Sequence, residues 1–271
     1  MELLHAAVKG IIQGLTEFFP VSSHAHLTLY PLFAGEESPF LNSLAFDVAI
    51  HGGTLLSLIV FFRKKILSLI KGFFGGIKDA GKRGETDFKL SLYIIAATVP
   101  AVIGGLMLEG IVEEKLRAPA VIGFSLIVFG AVLFVADRTG KKEKVMGNMS
   151  LRDALIIGFA QVLAFIPGVS RSGITISAAL LTGYKREDAA EFSFIMSIPA
   201  VTGALVLKFR DLYSISGSEA VLTFAGFMTA MISGYFAIKF LLVLVKKHSY
   251  MPFIVYRLIL GIVVLAVLVK W

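Results

Sequence analysis

The chain contains no cysteine, which excludes disulfides, thiolate nucleophiles and cysteine metal sites and leaves any chemistry to oxygen, nitrogen and bound ions. Charge is scarce as well. Only 17% of residues are Asp, Glu, Lys or Arg, against about 25% in an ordinary soluble domain. In their place the chain is apolar: 56% of its 271 residues are hydrophobic and the mean hydropathy is +0.83. This is the composition of an integral membrane protein. The net charge of +7 does not point to nucleic acid, because the basic residues sit in short clusters between apolar runs, the arrangement that sets membrane topology. No basic leader precedes the first apolar stretch, and Lys9 interrupts it, so that segment is expected to be retained.

Crossing a bilayer takes about 20 apolar residues. Six segments satisfy this: Leu41 to Phe62, Leu90 to Leu108, Pro119 to Ala136, Ala189 to Leu207, Val221 to Val245 and Phe253 to Val269. Two others, Leu3 to Leu32 and Leu151 to Leu181, are broken by Pro20 and Pro167. A helix from Leu3 to Phe19 reaches only about 25 Å, so each broken stretch reads as two half-helices that dip in and return. The predicted fold is an all-α polytopic membrane protein of six transmembrane helices and two re-entrant helical hairpins. Arg63, Lys64, Lys65, Lys71, Lys78, Lys82, Arg83, Lys89, Arg138, Lys141, Lys142, Lys144, Arg152, Lys185, Arg186, Lys246 and Lys247 fall on one face. The other face receives Lys9, Lys115, Arg117, Lys208, Arg210 and Lys270, and Arg171, Lys239 and Arg257 are left within the membrane. That asymmetry makes the first face cytoplasmic and puts both termini outside.

The broken stretches resemble each other. Gly10, Gln13, Pro20 and Val21-Ser22 align with Gly158, Gln161, Pro167 and Val169-Ser170, with one inserted residue. One integral membrane domain, 1–271, is therefore expected to hold two halves, about 1–137 and 150–271, joined by a solvated cytoplasmic linker at about 138–149. With one hairpin and three crossings each, the second half must be inverted. The hairpins then enter from opposite faces and their tips meet near the midplane, where inverted-repeat transporters place their ligands.

At those tips lie Pro20-Val21-Ser22-Ser23-His24-Ala25-His26 and Pro167-Gly168-Val169-Ser170-Arg171-Ser172-Gly173. Helices beginning just after Pro20 and Gly168 aim unpaired N–H groups and positive dipole ends at the space between them. Ser22, Ser23, Ser170 and Ser172 add hydroxyls, Gly168 and Gly173 allow close backbone approach, and Arg171 offers a planar fork matched to phosphate. A purely structural role, with serines capping helices and Arg171 holding carbonyls, is the competing reading. An arginine inside the membrane weighs against it. Glu17 stands four residues after Gln13, so both face the tip. A carboxylate with an amide oxygen suits a hard cation, Mg²⁺ or Ca²⁺, that takes further ligands from phosphate; a Glu17–Arg171 ion pair is the alternative. His24 and His26 lie about 200° apart on a helix, so at most one serves the site, as base, as acid or as covalent acceptor. His5, His51 and His248 lack comparable surroundings, and His51 reads as an interhelical hydrogen bonder.

These residues resemble, nearly end to end, the undecaprenyl-diphosphate phosphatase family, also called the bacitracin-resistance proteins. The first family motif is matched by Gln13, Glu17, Pro20, Ser22, Ser23 and His26, and the second, Pro-Gly-x-Ser-Arg-Ser-Gly, by Pro167 to Gly173. The resemblance implies an enzyme of the plasma membrane, open to the outer face. It would hydrolyse a polyprenyl diphosphate to the monophosphate, recycling the lipid carrier of cell-wall or surface-glycan synthesis and conferring bacitracin resistance. It also implies divalent-metal dependence and a homodimer. By motif, Gln13 and Glu17 would belong to the metal or acid–base site, Ser23 and His26 to nucleophilic attack, and Ser170, Arg171 and Ser172 to diphosphate binding. Two departures stand out: Gln13 replaces a common Glu, removing one negative charge, and His24-Ala25 replaces a common Thr-Gly. The mechanism expected is attack by Ser23, activated by His26, or by water or histidine, on the terminal phosphorus. A transporter or flippase of polyprenyl phosphate is the alternative from another class. A lipid phosphatase of the Pro-Ser-Gly-His type is weaker, since Ser170-Arg171 has no downstream His-x-x-x-Asp.

Overall fold

The computed structural model describes residues 1–115, 118–215 and 217–269. They are helical almost throughout, and no β-strand occurs among them. In chain order the helices are α1 (Glu2–Phe18), α2 (Ser23–Ala34), α3 (Leu44–Phe61), α4 (Arg63–Lys78), α5 (Thr86–Lys115), α6 (Pro119–Thr139), α7 (Leu151–Val162), α8 (Arg171–Leu181), α9 (Arg186–Leu207), α10 (Ser218–Lys247) and α11 (Met251–Val269). Among the described residues six are long and apolar enough to cross a membrane, namely α3, α5, α6, α9, α10 and α11. They are the six segments expected, extended at several ends by polar residues that still complete a helical turn. Their exposed faces carry large apolar side chains such as Val102, Ile103, Phe124, Phe236 and Ile259, as contact with lipid requires.

The two broken stretches are the pairs α1–α2 and α7–α8. Pro20 has no N–H to extend α1, and the chain reverses through Phe19 to Ser22. In the second pair a short 3₁₀ turn, Leu163–Phe165, leads to Pro167 and Gly168. Both turns end alike. Ser22 and Ser170 adopt positive φ, 75° and 72°, and each hydroxyl accepts the N–H three residues on, from Ala25 at 3.3 Å and from Gly173 at 3.2 Å. An L-residue holds this backbone only under constraint from its surroundings, so two instances at aligned positions mark one local device used twice.

The helices pack in matching pairs. α1 lies on α10 as α7 lies on α5; α10 meets α3 as α5 meets α9; α6 and α11 face each other. Closeness depends on small residues. A Cβ added to Gly14 would stand 1.9 Å from Ser233 Oγ and 2.6 Å from the Ala230 carbonyl oxygen, and one on Gly158 would stand 2.4 Å from the Ala97 carbonyl oxygen. The largest buried cluster, with Phe18, Ile176, Leu180, Phe192 and Phe194, surrounds the broken pairs and so supports the turns.

Three features differ from the sequence reading. Residues 63–78 form an amphipathic helix, α4, where only a basic cytoplasmic segment was expected. The linker is solvated, as expected, but it is not free: α6 continues through Arg138, the N–H groups of Glu143 and Lys144 both reach the Gly183 carbonyl at 2.9 Å, and Lys185 N–H donates to the Lys144 carbonyl at 2.9 Å. Lys144 also pairs with Asp153 at 3.0 Å, and Tyr184 donates to the same carboxylate at 2.9 Å. Burial, with that carboxylate beside it, pushes the Tyr184 hydroxyl above the usual phenol range. Finally, Lys9, assigned to the outer face, is not a solvent-exposed charge: it is 1% exposed, bonded to the Leu41 carbonyl and, at 2.9 Å, to Asn42 Oδ1. Of the other basic residues assigned to that face, Arg117 and Lys270 lie outside the described residues, as does the side chain of Lys115.

Replacing Gly14 by Leu forces α1 off α10 and is expected to cost about 2 kcal/mol or more, seen as a lowered thermal unfolding midpoint in detergent. Gly203→Ala, at a glycine whose added Cβ meets nothing within 4 Å, leaves the midpoint unchanged.

Candidate active site

The two turns touch. Ser172 Oγ, on the first turn of α8, donates to the Phe19 carbonyl at the end of α1 at 3.2 Å. This brings the last turn of α1 and the N-termini of α2 and α8 together around one carboxylate. Glu17 Oε1 accepts from Arg171 Nη2 at 2.8 Å, while Oε2 accepts from Ser23 Oγ at 2.8 Å and from Gln13 Nε2 at 3.2 Å. The side chains of Glu17 and Arg171 are only 11% and 16% exposed, so their attraction acts in a poorly screened setting. Arg171 Nη1 donates to the Ser193 carbonyl of α9 at 3.2 Å, which fixes the guanidinium plane. Gln13, Ser23 and Arg171, chosen from sequence, thus each bond the carboxylate of Glu17, also chosen from sequence.

The other chosen residues divide by role. The hydroxyls of Ser22 and Ser170 cap their own helices and both residues are buried. Ser170 also lies 3.2 Å from Ser172, oxygen to oxygen. Gly168 has φ 92°, and a Cβ there would sit 2.6 Å from the Ile122 carbonyl, so glycine is required. Gly173 supplies the N–H that Ser170 caps. The expected Ser23–His26 pairing is not formed, because each partner is held elsewhere. Ser23 donates to Glu17, whereas His26 Nδ1 lies 2.7 Å from the Ser22 carbonyl and Nε2 lies 2.6 Å from the Tyr256 hydroxyl. A carbonyl only accepts, which assigns the proton to Nδ1 and makes Nε2 the acceptor from Tyr256. The two rings are stacked at 5.6 Å with 7° between their planes. His24 is exposed.

Sequence reasoning missed three participants. His51, set aside as an interhelical hydrogen bonder, has its Nε2 3.9 Å from Glu17 Oε2. Its Nδ1 lies 2.7 Å from the Asp47 carbonyl one turn earlier. Nothing local marks it, since the approach of α3 to α1 is a tertiary fact. Tyr256 is the second. The third, Arg257, carried a signal that was noticed but given no role, an arginine within an apolar span. It is fully buried, and its guanidinium donates to the carbonyls of Pro20, Gly168 and Val169 at 3.0 Å each, of Leu126 at 3.2 Å and of Ser125 at 3.4 Å. The carbonyl-holding role considered for Arg171 is met in part, at Ser193, and Arg257 fills it on a larger scale.

A hard cation fits the donors present. Gln13 Oε1 is buried without a hydrogen-bond partner, and Glu17 and Ser23 add only oxygen. Among the described residues no group of three or more His, Cys, Asp or Glu could hold a metal, so such a cation would keep several ligands from water or substrate.

Fold and site together define a multipass membrane protein with a carboxylate–arginine–serine cluster at the junction of two helix N-termini, hardware suited to a phosphorylated ligand. The chain belongs to the bacitracin resistance protein BacA family, whose profile matches residues 6–263. Curated relatives named undecaprenyl-diphosphatase include those of Geobacter sulfurreducens, 47% identical over 99% of both chains, Saccharophagus degradans, 46% identical over 96% of both, and Gemmatimonas aurantiaca, 46% identical over 99% of this chain and 98% of that one.

Arg257→Lys leaves carbonyls that one ammonium cannot reach, and a loss on the order of 3 kcal/mol or more is expected from several charge-assisted bonds. Thermal unfolding in detergent reads this directly, as does the loss of phosphate-analogue binding that follows if the turns separate.

Proposed function

We propose that this protein is an undecaprenyl-diphosphatase, which cleaves a polyprenyl diphosphate to the monophosphate and inorganic phosphate and so recycles a lipid carrier of cell-wall or surface-glycan synthesis. Bacitracin resistance follows from the same activity. The observation that carries the reading is Glu17 in contact with both Ser23 and Arg171, within a chain alike over its whole length to relatives bearing that name.

The geometry supports Glu17 as general base and Ser23 as nucleophile. The Ser23 hydroxyl already donates to Glu17 Oε2, so transfer of its proton needs no rearrangement. Ser23 Oγ bonds to the terminal phosphorus, its proton passes to Glu17, and the bond from phosphorus to the bridging oxygen breaks, releasing the prenyl monophosphate. Glu17 passes that proton to the departing bridging oxygen and then takes one from a water; the water oxygen bonds to phosphorus, the bond from phosphorus to Ser23 Oγ breaks, and Glu17 returns the proton to Ser23 Oγ, releasing inorganic phosphate. As Glu17 takes the proton it loses its hold on Arg171, whose guanidinium, with the N-termini of α2 and α8, stabilises charge on the transferred group. His26 joins this chemistry only on release from Tyr256. A divalent cation, Mg²⁺ or Ca²⁺, held by Gln13 Oε1 and Glu17, would neutralise part of the diphosphate charge. An apolar groove of about 600 Å³ between α3, α9 and α10, lined by Val48, Gly52, Leu205, Phe224 and Phe227, would suit the prenyl chain.

The matched helix pairings and capped turns support an inverted repeat of halves 1–137 and 150–271; entry of the two broken pairs from opposite faces and a site open to the outer face of the plasma membrane rest on the distribution of basic residues and on the family resemblance. A homodimer is carried over from the family resemblance.

Glu17→Gln and Arg171→Ala are each expected to lower phosphate release by about 10²–10³-fold with folding retained. Full activity in either protein removes the mechanism, and transbilayer movement of a prenyl phosphate without phosphate release in the parent would favour a flippase. Chelation of divalent cations is expected to stop turnover, and added Mg²⁺ to restore it.

A further inference from the structure

α4 presents three distinct faces. Leu69, Gly72 and Gly76 turn toward the start of α5: Leu69 is buried, and Cβ atoms added to Gly72 and Gly76 would stand 2.9 Å from Asp87 Cβ and 2.3 Å from the Phe88 ring. Lys65 at 3.1 Å and Ser68 both bond Asp87 and fasten this face. Away from it, Leu67, Ile70, Phe74 and Ile77 recur at three- and four-residue steps and are 55%, 47%, 56% and 54% exposed. Beside that stripe, Lys64, Lys71 and Lys78 repeat every seven residues, are exposed, and make no ion pair among the described residues. No acidic residue interrupts the helix.

At 16 residues α4 is about 24 Å long, too short and too basic to cross. Only Phe62 separates it from the membrane-crossing α3, on the face where basic residues accumulate, so it starts at the level of the headgroups. An apolar stripe flanked by lysines is the pattern of a helix lying in the interface, apolar side chains in the acyl boundary and ammonium groups among phosphates. We propose that α4 is a docking surface for anionic phospholipid of the cytoplasmic leaflet, with Lys64, Lys71 and Lys78 contacting the headgroups and Leu67, Ile70, Phe74 and Ile77 inserted beneath them. Lys82 and Arg83, exposed in the following 3₁₀ turn (Ala80–Gly84), extend the same positive surface.

The test uses the full chain in nanodiscs of phosphatidylcholine with or without phosphatidylglycerol. In a Trp271→Phe background, Phe74→Trp should be quenched by lipid brominated in the upper acyl chain. The Lys64→Gln, Lys71→Gln, Lys78→Gln protein should retain at least fivefold less phosphatidylglycerol after detergent extraction, with phosphate release in detergent unchanged. Absence of quenching, equal retention of the anionic lipid, or crosslinking of two chains through Phe74→Cys, which would make this face a contact between copies, each overturns the proposal.

Discussion

One guanidinium holds the centre of this protein. Arg257 stands in an apolar helix, shielded from water and lipid, and donates to five carbonyls drawn from the first turn, the second turn and α6. Both turns leave carbonyls outside any helix, and in a bilayer such groups are tolerated only if something within the protein satisfies them. Their oxygens in turn surround the buried cation with partial negative charge. Each side makes the other affordable, and the positive φ of Ser22 and Ser170 is kept because the chain cannot relax without giving up this arrangement.

On that frame the site operates with a single carboxylate. Glu17 is shared by an arginine, a serine and an amide, and the three donors compete for its two oxygens. At rest the carboxylate and the guanidinium balance each other; in the proposed reaction a diphosphate would offer Arg171 a competing partner and leave Glu17 freer to take the Ser23 proton. Gln13 adds an amide to the cluster and no second negative charge, and its Oε1 is left buried without a hydrogen-bond partner.

The fold was legible in the sequence wherever the signal is the length of an apolar run. Six spans and two interrupted stretches follow from hydropathy and two prolines, and Glu17 and Arg171 follow from the cost of charge in an apolar setting. What stayed hidden depends on direction in space. α4 was obscured because a short amphipathic helix carries too little apolar length to register as a span and too many lysines to suggest one. Arg257 was visible as a charge, yet nothing nearby says that its partners are carbonyls some 90 to 240 residues away. His26 matched the family motif, but its hydrogen bonds run to Ser22 and Tyr256, and only the packing of α11 reveals the latter. The linker's tethering stayed hidden because its bonds to Gly183 and Lys185 are backbone bonds that no side-chain pattern announces.

Ser22 and Ser170 occupy the same place in two turns built alike, so the residues after them, Ser23 and Arg171, are counterparts. Four positions beyond the aligned glutamines the counterparts are Glu17 and Phe165, and the amide of Gln161 is buried with no partner at all, like a fitting whose mate has gone. The two turns are alike in backbone and unlike in what they carry: one brings a hydroxyl and a carboxylate, the other a guanidinium, and the ion pair between them ties the pairs α1–α2 and α7–α8 into one cluster that neither could form alone.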